Sequence, residues 1–279
     1  MKHISTVIIG GGQAGLAMSR CPVARGIPNA VLERGRIGER WRSERWDSLR
    51  LLSPNWMARL PHYQYEGADP DGFMTMSESI RYLDAYAESF EAPVQTATRV
   101  ERVERTGADR FLVDTNRGRF SAYNVVVATG FCDVPRVPEF ATDLDGKIFQ
   151  LTPPEYRNPD PLPDGNVLVV GASSTGIQIT EELLRAGREV TVSVGTHVRL
   201  PRRYRGKDIL RGMVSMGAFE ARADPAGERQ SPPPRLVGSP ENRDLDLGVL
   251  QRQGARLVGR AVSADGNRIA FGGSEEGQA

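Results

Sequence analysis

The sequence predicts an α/β fold built from two βαβ units in series, and three observations carry that expectation. Near the N-terminus a short apolar run leads into a glycine turn and a helical pattern, TVIIGGGQAG at 6–15. The same order recurs at 167–176 as VLVVGASSTG. Each copy then continues in one register, with a helix closed by glycine (Gly26, Gly187) and a second apolar strand (Ala30 to Leu32, Val190 to Val194). Self-similarity of this kind marks a duplicated supersecondary unit.

At 279 residues the chain has room for two medium domains. Lys and Arg (36) nearly balance Asp and Glu (35), for a net charge of +1. No global field then draws nucleic acid or an anionic membrane, and an anionic ligand must be held by local geometry. The chain has two cysteines, Cys21 and Cys132, and no CxxC pair. That argues against a disulfide framework and against a dithiol reductase, and it fits a reducing compartment. The apolar run Val7 to Ile9 is too short for a signal-peptide core or a membrane span. A cytoplasmic protein with no membrane span, no nucleic-acid partner and no metal site is the expectation.

The first unit continues with a hairpin, Arg99 to Val103 and Arg110 to Asp114, and a buried strand, Asn124 to Val127. In the second, Ala255 to Val258 and Asn267 to Phe271 read as counterparts of that hairpin. A polar tail follows, so the second unit carries no counterpart of the closing strand. Between the units, Pro153 to Pro163 is too rich in proline for a helix and reads as a stiff linker. The expected domains are therefore 1–150, a linker at 151–164, and 165–279. A second irregular stretch, Ala223 to Asn242, carries Pro232 to Pro234, and Pro22 is expected to strain or shorten the first helix.

The glycine turns have a specific chemistry. In GxGxxG, Gly10 makes the tight turn, Gly12 lets backbone N–H groups approach a pyrophosphate, and Gly15 lets the helix pack on the strand; Gln13 and Ala14 complete the turn. Glu33, at the end of the next strand, can accept hydrogen bonds from a ribose, so the first unit reads as a dinucleotide site. The second turn keeps Gly171 and Gly176 but has Ser173 in the middle, followed by Ser174 and Thr175. Serine is small and retains a hydroxyl for a phosphate. After its second strand come Arg199, Arg202 and Arg203 with no carboxylate at the expected place, which favours NADPH over NADH.

These pieces, with LER at 32–34, IGERW at 37–41, WDSLRLLSP at 46–54, VVVATG at 125–130, YRNP at 156–159 and RLPRRYR at 199–205, resemble the flavin-containing monooxygenase-type oxidoreductases. The branch is the CzcO-like one, also described as flavoproteins involved in K⁺ transport. The resemblance runs from Ser5 to about Gly272. It implies an FAD domain first and an NADPH domain second, both Rossmann-like. It places Glu33 and Arg34 on the ribose and adenine side of FAD, with Gly38, Trp41 and Arg42 flanking the flavin. Val100 is a further FAD contact, and Ala128, Thr129 and Gly130 mark where the chain leaves the FAD domain. The implied activity is oxygenation of a small organic substrate by O₂ through a C4a-peroxyflavin formed after NADPH reduces the flavin.

Three departures stand against that pattern. The fingerprint FxGxxxHxxx(Y/F) survives only at Tyr156, with Gly146, Ile148 and Thr152 at its earlier positions. Leu52 stands where many relatives have an asparagine, and none of His3, His62 and His197 is a good base candidate. Relatives also return to the FAD domain after the NADPH domain, a segment this sequence does not carry, so a homodimer or a partner chain is expected to complete the FAD domain. An NADPH oxidase or flavin reductase releasing H₂O₂, and a nucleotide-binding remnant or regulatory protein without oxygenation, stay open as alternatives.

Overall fold

The computed structural model describes residues 1–107, 109–131, 134–197, 200–220, 236–240 and 243–273. It contains two compact units, one of Met1–Arg45, Trp56–Gly67 and Met74–Arg136, the other of Trp46–Asn55, Ala68–Phe73 and Val137–Ala279.

In the first unit β1 (Lys2–Ile9) runs through the glycine turn into α1 (Gln13–Val23) and β2 (Asn29–Leu32), followed by α2 (Glu39–Ser43). A small hairpin, β3 (Arg59–Leu60) and β4 (Tyr63–Gln64), precedes α3 (Met76–Glu88), β5 (Val94–Gln95), β6 (Val100–Thr106), β7 (Arg110–Thr115) and β8 (Gly118–Val127). The sheet order is β5-β2-β1-β8-β7-β6, parallel from β5 to β8 and antiparallel beyond. The glycine turn thus lies at the C-terminal end of a central strand, where open α/β sheets bind their ligands. Val7, Ala30, Leu32, Val113, Phe120 and Ala122 form one core layer. Leu16 of α1 packs with Leu83, Tyr86, Ala87 and Phe90 in another. Helix α3 starts with a capping box in which Thr75 and Glu78 satisfy each other's backbone N–H groups. Helix α1 ends one residue after Pro22, whose carbonyl accepts from Arg25 and Ile27.

The second unit has β9 (Val167–Val170), α4 (Ser174–Arg185) and β10 (Val190–Ser193), then the hairpin β11 (Arg203–Tyr204) and β12 (Lys207–Asp208), leading into α5 (Ile209–Ser215). Helix α6 (Leu247–Arg252), β13 (Arg256–Val258), β14 (Ala261–Asp265) and β15 (Arg268–Phe271) follow. Strands β13, β10 and β9 make a parallel sheet in that order, while β14 and β15 pair with each other as a separate antiparallel hairpin. Ile177, Leu183, Val192 and Leu250 are buried between α4, the sheet and α6.

The α/β class and the duplicated, Rossmann-like units stand as expected, and two details differ. The N–H of Glu33 donates to Gln95 O and that of Val194 to Val258 O, so β13 is the counterpart of β5. The hairpin counterpart is β14–β15. A short apolar run reads alike as a buried parallel strand or a hairpin arm, and the sequence reading shifted the repeat by one strand for that reason. The proline-rich stretch is packed into the second unit and is no free linker. Tyr156 is buried there and its phenol donates to Glu182 of α4 at 2.6 Å. Burial pushes that phenol's pKa far upward, with Glu182 adding to the shift. Ala223 to Asn242 falls largely outside the described residues.

Candidate functional site

The two glycine turns have the same local geometry for the same reasons. Gly10 has φ +111° and Gly171 φ +110°, a region side chains rarely enter. The N–H of Gly10 donates to Leu32 O at 2.8 Å and that of Gly171 to Ser193 O at 3.0 Å, pinning each turn to its second strand. A Cβ on Gly15 would lie 1.9 Å from Gly10 O, and one on Gly176 would lie 2.0 Å from Gly171 O. Glycine at these places is therefore demanded by the helix crossing its own turn. A Cβ on Gly10 would also meet Ala128 O at 2.4 Å, so β8 closes on the first turn.

Gly12 differs, since a Cβ there would meet nothing within 4 Å. Its lack of a side chain leaves space at the N-terminus of α1, beside the exposed Gln13 and Ala14. Neither α1 nor α4 has an acidic residue in its first turn, so each N-terminus presents the positive end of its dipole unopposed. Ser173 stands as N-cap of α4 in extended backbone, exposed, with its hydroxyl capping nothing. Ser174 is committed elsewhere, donating to Leu236 O at 3.1 Å, and Thr175 is half-buried behind it.

Around the first turn the structure gathers several of the sequence candidates. Glu33 is buried, and its carboxylate accepts from Gly11 N at 2.6 Å and Gly35 N at 2.8 Å. An ionised carboxylate has about four acceptor sites, so two bonds leave capacity for a ribose. Gly38, at φ +63°, donates its N–H to Gly11 O at 3.0 Å and brings α2 against the turn. Thr129 and Gly130 are exposed just past Ala128, whose N–H extends the pairing of β8 with β1. The sequence reading missed Arg40, whose guanidinium donates to Phe131 O at 3.1 Å and to Glu44 at 2.6 Å. It ties α2 to the segment leaving β8. The i,i+4 spacing of Arg40 and Glu44 was a signal of the ion pair, and nothing in the sequence marked Phe131 as its other contact.

Other candidates have structural work to do. Arg42 donates to both oxygens of Asp84 and to Ile37 O. Trp41 packs against the Leu83–Tyr86 layer and carries Arg45 over its ring. Arg34 is exposed beside Glu44 at 3.4 Å, and Val100 opens β6 against the core.

In the second unit Arg202 requires a correction. It is 3% exposed, pairs with Asp208 at 2.7 Å, donates to Leu52 O at 2.7 Å and lies 4.3 Å over the Phe73 ring. Burial lowers its pKa while Asp208 opposes the shift. A guanidinium sealed in this way organises its own unit and is withdrawn as a phosphate contact. Arg203 is exposed and donates to Gly206 O, and Arg199 lies outside the described residues. The connector departure is explained locally: Thr152 and Glu155 form a turn in which Glu155 accepts from the Thr152 N–H and hydroxyl. Among the described residues no helix is long and apolar enough to cross a membrane.

Comparison with known proteins agrees with this geometry. Residues 7–215 match the family described as pyridine nucleotide-disulphide oxidoreductase. An uncharacterised CzcO-like oxidoreductase of Geobacillus kaustophilus is 40% identical over 220 residues, covering 78% of this chain and 62% of that protein. A probable indole-3-pyruvate monooxygenase, YUCCA1 of Arabidopsis thaliana, is 32% identical over 212 residues, covering 72% of this chain and 49% of that protein. The chain thus spans about half to three-fifths of the length of these curated relatives. A flavin-containing monooxygenase from Stenotrophomonas maltophilia shares the fold, with a TM-score of 0.76 at 24% identity over 97% of this chain and 74% of that one. The profile match over both glycine turns and the strands that hold them is decisive: this chain belongs to the pyridine nucleotide-disulphide oxidoreductase family.

Proposed function

We propose that this chain is the nucleotide-binding portion of an FAD- and NADPH-dependent oxidoreductase of flavin monooxygenase type, acting on a small organic substrate with O₂. The observation that carries the reading is the pair of matched glycine turns, each at the C-terminal end of a parallel strand and the start of a helix with no acidic first turn. FAD fits the first: Gly12 leaves open space at the helix N-terminus, and buried Glu33 keeps acceptor capacity at the end of β2. NADPH fits the second, where Ser173 is exposed at the N-cap and Val194 puts no carboxylate at the place of Glu33.

When bound, FAD supplies a ring that takes two electrons from NADPH and delivers them to O₂. In balance, NADPH, H⁺, O₂ and substrate give NADP⁺, water and oxygenated substrate. The chain's own part is positional. The N–H groups at the starts of α1 and α4 hold the pyrophosphates, Glu33 accepts from the ribose hydroxyls, and Gly38 with Arg40 fixes the backbone beside the first turn. A cytoplasmic location accords with the free Cys21.

The altered fingerprint favours a second outcome of the same redox chemistry, release of H₂O₂ without oxygenation, because Thr152 is spent on a turn where relatives carry histidine. Titration of the purified protein with FAD and FMN, followed by flavin fluorescence, tests the main reading. Tight binding of FAD and weak binding of FMN is expected. Equal affinity for both would remove the dinucleotide assignment, and the ratio of H₂O₂ formed to NADPH consumed separates the two outcomes.

A further inference from the structure

The register of the repeat brings one cation to a place the sequence does not suggest. In the first unit the segment after β5 runs past the end of β2, where Ala97 N donates to Gly35 O. Stepping along the matched hydrogen bonds, Glu33 corresponds to Val194, Gly35 to Thr196, Gln95 to Val258 and Ala97 to Arg260. Arg260 therefore stands just beyond the end of β10, the edge at which this fold discriminates adenosine ribose from its 2′-phosphate. Its guanidinium donates to Thr196 Oγ1 at 3.3 Å and lies against Gly195, where a Cβ would come within 3.3 Å of Nη2. Arg260 is exposed and has no ion pair among the described residues. The second unit has thus exchanged the acid of the first for an apolar residue and placed an arginine and a threonine hydroxyl over the same edge.

We propose that Arg260, with Thr196, is the subsite for the 2′-phosphate of NADPH, and that Gly195 keeps space for the guanidinium. The assignment rests on the NADPH reading above and replaces Arg202 with a residue from the segment between β13 and β14, more than fifty positions later in the chain. Arginine meets a phosphate bidentately, and the neighbouring hydroxyl adds a donor. A carboxylate at position 194 would repel the same group.

The test is calorimetric titration with 2′,5′-ADP and with 5′-ADP, which share adenosine and differ in the 2′-phosphate. The wild-type protein is expected to prefer 2′,5′-ADP. Arg260→Ala should lower its affinity for 2′,5′-ADP roughly 10- to 100-fold, as expected for one charge-assisted contact, and leave 5′-ADP within about twofold. Arg260→Lys, which keeps the charge and loses the fork, should recover part of the loss. Equal losses for both probes, or none for either, would overturn the role of Arg260. A wild-type protein that does not distinguish the probes would instead remove the NADPH reading, and the subsite with it.

Discussion

The two units are the same device with different terminal chemistry. Both turn at a positive-φ glycine, both tie that glycine to the second strand, and both cross a helix over the turn so closely that only glycine fits. They part at the end of the second strand. The first unit has Glu33, buried and bonded to two backbone N–H groups, and the second has Val194 with Arg260 lying nearby over Gly195 and Thr196. They part also in the sheet, where β1 is held between β2 and β8, while among the described residues β9 pairs with β10 alone. What is shared is what the backbone requires, and what differs is what a particular ligand would require.

The largest expected effect probes the shared part. Gly15→Ala and Gly176→Ala each force a Cβ onto a carbonyl and should cost about 2–3 kcal/mol, equally in the two units. Denaturant melts of both variants check this, and a loss in only one would break the equivalence of the turns. Glu33→Gln comes next, because it weakens two charge-assisted bonds. It should cost about 1.5–3 kcal/mol, whereas Val194→Thr should change stability by well under that. Placing the acid in the second unit, Val194→Glu, should shift preference from NADPH towards NADH, read as the ratio of their dissociation constants.

Much of this was legible in the sequence because it is local. A positive-φ turn admits glycine, so GGGQAG and GASSTG announce the strand, turn and helix around them. The capping box of Thr75 and Glu78 and the cap of α6 by Asp246 were equally open to reading, yet neither helix was read. Arg202 was not legible. A run of arginines looks alike whether it faces solvent or a core, and the residues that bury it, Leu52 and Phe73, are distant in the chain. The place of Arg260 follows from the true register of the repeat, which hydrogen bonds reveal and apolar runs do not.

Two smaller effects concern pH, and both lie in the first unit. Burial pushes the phenols of Tyr82 and Tyr86 up to about 12 from an ordinary 10. Raised folded pKa values mean that this stability is fully present below pH 10 and is lost as pH rises from 10 to about 12. Tyr86→Phe should flatten that alkaline decline in melting temperature. Glu39, held by Arg36, sits at about 2 against an ordinary 4.5. A lowered folded pKa means stability present above 4.5 and lost as pH falls towards 2, and this pair being exposed, the effect is small and screened by salt. Melting of Glu39→Gln should depend less on pH across that window than the wild type.

If each turn serves its own dinucleotide, a pair of substitutions at the matched middle positions will separate the two. Gly12→Val and Ser173→Val are compared by titration with FAD and with NADP⁺. Gly12→Val is expected to abolish FAD binding and leave NADP⁺ binding intact, and Ser173→Val to do the reverse. Gly12→Val protein that still takes up FAD with wild-type affinity, or either variant losing both ligands while remaining folded, would contradict that division between the turns.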